Sequence, residues 1–213
     1  MLNSLNFELF LIRHGQSEIN AQPDLIGQTS DVKLTKLGEQ QAELLGQYFR
    51  KNGENFDLVY SSPYLRASET CRIALNNNSV IYDDSLREYS AGDWIGNNIN
   101  LILTSEVINK MNVLGQTFQP PNGESMNQVE RRVSLWLENN FLYNQKFHSL
   151  CEKSLVKVAV FCHGMVIKCL LHYIMGFDQS FTWKIKIDNS SVTRLLFKDG
   201  WFIKTINNCS HLD

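Results

Sequence analysis

The chain has 213 residues, 43% of them hydrophobic and 20% charged, with a formal net charge of -2. That length suits one domain of generous size, or a core domain with a large insertion, and it can bury a hydrophobic core without covalent staples. The ordinary composition excludes a disordered or fibrous chain, and Lys and Arg scattered without runs leave none of the electrostatic footprint of a nucleic-acid or anionic-membrane binder.

The segment MLNSLNFELFLIRHG has no basic stretch before its apolar run, which is too short for a secretion signal or a membrane span. Five cysteines, Cys71, Cys151, Cys162, Cys169 and Cys209, are widely spaced and never form a C-x-x-C pair, so neither a zinc site nor a disulfide framework is indicated. A reducing, cytoplasmic setting is the expectation.

The first predicted strand, 8–12, runs straight into Arg13-His14-Gly15. A helix is predicted over 35–51, with Thr35 as N-cap, Leu37, Leu44, Leu45, Tyr48 and Phe49 at helical spacing, and Arg50, Lys51 and Gly53 closing it. A strand over 56–60 leads to a second helix starting at Ser62-Pro63, where Ser suits the cap and Pro the first helical position, and running to about residue 75. Residues 97–121 are the least regular and read as a cap-like insertion over the core. A third helix starts near Glu124-Ser125 with Met126, Val129, Val133, Trp136 and Leu137 on one face. The strand 156–161 ends in Cys162-His163-Gly164, and the helix after it is apolar almost all round to Met175, so it should be deeply buried. Segments 193–197 and 201–206 flank Lys198-Asp199-Gly200 and predict an antiparallel hairpin. With neither repeats nor a linker, the alternation of short strands and helices predicts a single α/β domain with a largely parallel sheet.

Two strands thus end alike, in a His followed by Gly. Ligands bind at the carboxyl ends of parallel strands, and a glycine there lets the backbone turn and approach a ligand closely. A lone His at such a place can merely satisfy a backbone group; the duplication predicts that His14 and His163 meet in one site. Arg66 falls in the first turn of the second helix, where a cation is unfavourable by roughly 0.3–1 kcal/mol unless an anion shares the site. With Arg13 it could clamp a phosphate in forked geometry; the alternative is a surface pair with Glu69.

The stretches LIRHGQSEIN, LTKLGEQQA, YSSPYLRASETC, LREYSAGDWIG, PNGES, VFCHGMVIKCLL and NSSVTRLLF, in this order, resemble the histidine phosphatase superfamily on its phosphoglycerate-mutase-like branch. The resemblance implies a three-layer α/β sandwich with a small cap. It implies His14 as nucleophile forming a phosphohistidine, with Arg13, Arg66 and His163 around the phosphoryl oxygens and no metal or other cofactor. Glu88 matches the acid/base carboxylate, which should be partly buried; an ion pair with Arg87 is its plainer alternative. Ser17, Asn20 and Gly164 match positions of phosphate or loop contacts, with helix capping the plain alternative for Ser17. The chain departs from the family pattern at Ile95, where Glu is common, and at Met165, where a second Gly is common and where Met could narrow the pocket floor.

The stretch 97–121 carries one cation, Lys110, beside Glu106, and Tyr-Ser-Ala-Gly-Asp-Trp follows Glu88 where mutases have His-Tyr-Gly. The expected activity is therefore a phosphomonoesterase with water as acceptor, acting on a small phosphorylated metabolite or a phosphoprotein and not on nucleic acid or a membrane. A mutase and a non-catalytic phosphate-dependent binding module are the alternatives. Leu101, Ile102, Leu103, Val107, Ile108, Met111 and Phe118 are expected to wall the pocket or, for most of them, to pack on the core. Oligomeric state has no readable signal in the chain.

Overall fold

A strand buried on both faces needs apolar side chains at every position, and the buried stretch FELFLI, residues 7–12, meets that demand except at Glu8. The computed structural model describes residues 5–27, 29–76, 79–177 and 184–213. Among them six strands, β1 (Asn6–Arg13), β2 (Leu58–Ser61), β3 (Ile81–Tyr82), β4 (Val156–Cys162), β5 (Val192–Lys198) and β6 (Trp201–Asn208), form one sheet in the order β3-β2-β4-β1-β5-β6. The pairings from β3 to β1 are parallel; β5 and β6 add an antiparallel edge, turning at Asp199 (φ 58°) and Gly200 (φ 156°). Buried Glu8 is matched by Arg194, whose Nε lies 2.7 Å from its carboxylate.

Alternate residues of β1 feed two cores. Phe7, Leu9 and Leu11 pack with α5 (Met126–Leu137) and α7 (Gly164–Met175) on one face, while Phe10 and Ile12 pack with α1 (Lys36–Lys51) and α2 (Leu65–Leu75) on the other. The result is the expected three-layer α/β arrangement. Thr35 caps α1 by accepting from Gly38 N at 3.1 Å, and Ser125 with Gln128 forms a reciprocal capping box on α5, whose buried face is the one anticipated.

Four expectations need correction. The buried stripe of α1 is Gly38, Ala42, Leu45, Gly46 and Phe49, with Leu37 and Leu44 exposed: small residues let α1 lie close to α2 and to the loop after β1. The second helix begins at Leu65, not at Ser62-Pro63, because the Ser62 hydroxyl is engaged elsewhere and Tyr64 takes the cap position without a side-chain bond. Residues 97–121 are largely helical, as α3 (Ile99–Ile102) and α4 (Ser105–Leu114), each started by a side-chain cap from Asn98 and Thr104. No residue of α4 is buried, so its apolar side chains do not join the core. Beyond α5, a π-helical stretch Glu138–Leu142 and α6 (Gln145–Cys151) were not anticipated. All five cysteines are free thiols, and no helix of the described residues is long and apolar enough to cross a membrane.

Candidate active site

Register builds the site. Arg13 pairs with Cys162 across β1 and β4, so the next residues, His14 and His163, leave the sheet side by side with ring centroids 5.1 Å apart. The neighbouring parallel strand β2 delivers Ser62 to the same edge, its N–H donating to Phe161 O at 2.8 Å. Both imidazoles are buried.

Their hydrogen bonds fix their protons. His14 Nδ1 lies 2.7 Å from Gly15 O, which can only accept, so Nδ1 carries the hydrogen. Arg66 Nε, which can only donate, points at His14 Nε2 from 3.2 Å, so Nε2 presents its lone pair. Burial, then the Arg66 and Arg13 charges, hold His14 well below the ordinary histidine pKa. His163 is held down by burial, His14, Arg66, Arg13 and Arg132. Ser62 Oγ accepts from Tyr64 N at 3.3 Å and sits 2.8 Å from His163 Nε2. With Ser62 fully buried, its hydroxyl proton goes to that nitrogen, and His163 Nδ1 carries the ring hydrogen.

Among the described residues, two buried donors here have no protein partner: His163 Nδ1 and Arg13 Nε. Leaving such a group unmet costs about 1–3 kcal/mol, which an anion with several acceptor oxygens would relieve. Arg13 Nη1 donates to Ile187 O at 2.6 Å and Arg66 Nη1 to Thr29 O at 2.9 Å, while Tyr64 lies under the Arg66 guanidinium at 5.2 Å. At 2% exposure Arg66 is no surface cation, and Glu69, its expected alternative partner, instead accepts from Leu34 N at 3.4 Å. Burial lowers the pKa of both guanidiniums, and Glu88 opposes that in each.

Glu88 is buried, its Oε1 accepting from Tyr89 N at 2.9 Å and its Oε2 from Met165 N at 3.4 Å, in the first turn of α7. Arg87 pairs with Asp84 at 3.7 Å, so the surface-pair alternative for Glu88 is not formed. Arg132 holds the segment: it donates to Glu88 O at 3.3 Å and Ser85 O at 2.7 Å, and pairs with Glu124 at 2.8 Å. Glu124 in turn accepts from Ser90 N at 3.0 Å.

In the loop after β1, Ser17 caps no helix: its hydroxyl donates to Asn20 Oδ1 at 2.9 Å. Asn189, which carried no prediction, donates to His14 O at 3.1 Å and to Asn20 Oδ1 at 3.1 Å, tying the loop to the segment before β5. Gly15 is demanded by space, since a Cβ there would lie 2.5 Å from Gly38 O. Gly164 is not: a Cβ would meet Arg13 Nε at an ordinary 3.7 Å, so the two glycines are not equivalent as the repeated His-Gly suggested. Ser62 reads in the sequence only as a helix cap, and Asn189 and Arg132 carry no reading of their own, because the buried groups that such side chains serve are set only when the chain folds.

Beside Glu88 opens a cavity of about 520 Å³, lined among others by Tyr89, Trp94, Leu103, Met111, Phe118 and Met165. The Met165 side chain, expected to narrow the pocket floor, is part of this wall.

The sequence profile of the histidine phosphatase superfamily (branch 1) matches residues 9–209. A curated relative, "Probable phosphoglycerate mutase GpmB" of Photorhabdus laumondii subsp. laumondii, is 29% identical over 97% of this chain and 95% of its own. A phosphoserine phosphatase from Entamoeba histolytica, solved with 3-phosphoglyceric acid, superposes with a TM-score of 0.80 at 24% identity over 97% of this chain and 100% of that one. A putative alpha-ribazole-5'-P phosphatase from Escherichia coli gives 0.77 at 23% identity over 95% and 97% of the two chains. At these identities the two structures establish a shared fold.

Proposed function

Because the chain belongs to the histidine phosphatase superfamily, branch 1, we propose that it is a phosphomonoester hydrolase that forms a phosphohistidine on His14 and passes the phosphoryl group to water. The observation that carries this reading is the His14 ring: neutral, with Nδ1–H on Gly15 O and the Nε2 lone pair facing the Arg66 guanidinium. In the first step Nε2 bonds to phosphorus while the phosphorus–alkoxide bond breaks, and Glu88 gives the departing oxygen its proton. Arg13, Arg66 and His163 Nδ1–H neutralise charge on the equatorial oxygens. In the second step Glu88 takes a proton from water as its oxygen displaces His14 from phosphorus, restoring both groups.

A mutase is the second reading, suggested by the name of the 29% identical relative. Against it, the one cation of residues 97–121, Lys110, is exposed and paired with Glu106 at 2.8 Å, which leaves no cation of that stretch for a second anionic group. A binding module has no use for a carboxylate held near Arg13 and Arg66 by two backbone amides.

The test is turnover of 4-nitrophenyl phosphate together with trapping of radioactive phosphate on the protein from a labelled substrate. Steady hydrolysis is expected, with an acid-labile, alkali-stable label on the wild type and none on His14→Ala, whose rate falls at least about a thousandfold. Phosphate binding without turnover would make the protein a binding module. Interconversion of 2- and 3-phosphoglycerate outpacing hydrolysis would make it a mutase.

A further inference from the structure

The cavity beside Glu88 has a chemical character that the phosphate-binding residues do not share. Tyr89 and Met165 both line it, and their backbone amides are the two that hold the Glu88 carboxylate. The carboxylate therefore stands at the junction between the phosphoryl site and the cavity. The far wall carries Trp94 against Phe118, ring centroids 5.6 Å apart, together with Leu103 and Met111. Among the described residues no charged side chain lines the space, Asn112 is its one amide, and burial with nearby Glu124 pushes the Tyr89 phenol up to about 12, so it stays uncharged.

The wall is also fixed relative to the phosphate loop. Ile26 N donates to Asn97 O at 2.9 Å and Ile99 N to Asp24 O at 2.7 Å, tying the start of α3 to the loop that follows His14. That same loop supplies Thr29 O to Arg66, so the cavity wall and the phosphoryl clamp are joined through one piece of backbone.

Building on the phosphatase reading, we propose that the cavity receives the alcohol half of the substrate, and that the preferred substrates are small phosphomonoesters of uncharged, largely apolar alcohols, aromatic or branched aliphatic. A volume of about 520 Å³ falls within the roughly 300–1,000 Å³ usual for small-molecule sites. An apolar group entering it gives up water without losing hydrogen bonds, whereas a carboxylate or second phosphate would be desolvated against sulfur and aromatic carbon with no cation to meet it.

The experiment compares kcat/KM for phenyl, 2-naphthyl and 4-carboxyphenyl phosphates, whose leaving groups are of similar acidity, on the wild type and on Met111→Lys. Since α4 buries none of its residues, the variant should fold, and its thermal midpoint is measured alongside. In the wild type the naphthyl ester is expected to exceed phenyl by about tenfold or more, chiefly through KM, and the carboxyphenyl ester to fall about tenfold below phenyl. Met111→Lys should bring both ratios toward unity. Equal kcat/KM for all three esters on the wild type would overturn the cavity assignment and leave the phosphatase reading standing. Failure to hydrolyse any of them would overturn the phosphatase reading itself.

Discussion

His14 reaches the end of β1 already neutral, and the reason is visible atom by atom: burial and two guanidiniums oppose a second ring proton, and Gly15 O holds the first on Nδ1. Ser62 does for His163 what Gly15 does for His14. Its hydroxyl, anchored by Tyr64 N, sets the tautomer that turns Nδ1–H into a donor. Ser62→Ala should therefore lower kcat by roughly ten- to a hundredfold and shift the His163 ring nitrogens in NMR from a single Nδ1–H form to a tautomer mixture. Ser62→Thr, which keeps the hydroxyl, should restore most of both. Unchanged ring shifts in Ser62→Ala would remove the tautomer assignment, whatever happened to stability. At this scale the sequence displayed His14, His163, Arg13, Arg66 and Glu88, because each stands at a strand end, in a helix first turn or within a family motif. It concealed Ser62, which looked like an N-cap, and Asn189, which carried no reading of its own.

Elements position these residues through close approaches. The loop after β1 lies directly on the first turn of α1: a Cβ on Gly38 would sit 2.0 Å from Gln16 O, and one on Gly15 2.5 Å from Gly38 O. Gly38→Ala should push the loop away from α1, costing about 1–3 kcal/mol in urea unfolding and lowering kcat, since Ser17 and Asn20 move with it. Gly164→Ala, with an ordinary contact to Arg13, should stay within about 1 kcal/mol of the wild type. If the two substitutions prove equally harmful, the asymmetry between the His-Gly pairs is mistaken. The periodicity of α5 and the cap of α1 were legible because side chains of those helices alone determine them. The start of α2 was not, because the hydroxyl that should have capped it is drawn off by a histidine 101 positions along the chain.

For the whole molecule, two neutral histidines buried among arginines make acid the weak side of stability. In the unfolded chain both rings bind protons near pH 6.5, and in the fold both resist them. Below that pH the unfolded state binds more protons, so stability falls as pH falls, by at most about 1.4 kcal/mol per pH unit for each ring, and it is fully present above that pH. Urea midpoints measured from pH 7.5 down to 5 should decline, and His14→Asn, which has no titrating group, should decline less steeply. An identical slope in the variant would show that His14 titrates alike in both states. Carboxylates protonating at lower pH add to the decline only beyond this window.

The sequence by itself determined that this is an α/β chain with strands ending in Arg-His-Gly and Cys-His-Gly, since apolar runs, helical spacing and phosphate-binding residue types are local properties written in order along the chain. Tertiary structure alone decided how the two histidines meet, with ring centroids 5.1 Å apart, because that depends on β1 and β4 pairing Arg13 with Cys162 and not one residue out of step. It alone decided that residues 97–121 form helices that send Ile99 and Met111 to a cavity and leave Leu101, Ile108, Val113 and Leu114 exposed, for an apolar-rich stretch reads the same whether it covers a core or encloses a space. The candidate site is thus written in motifs, while the cavity beside it exists only once segments far apart in the chain close around it.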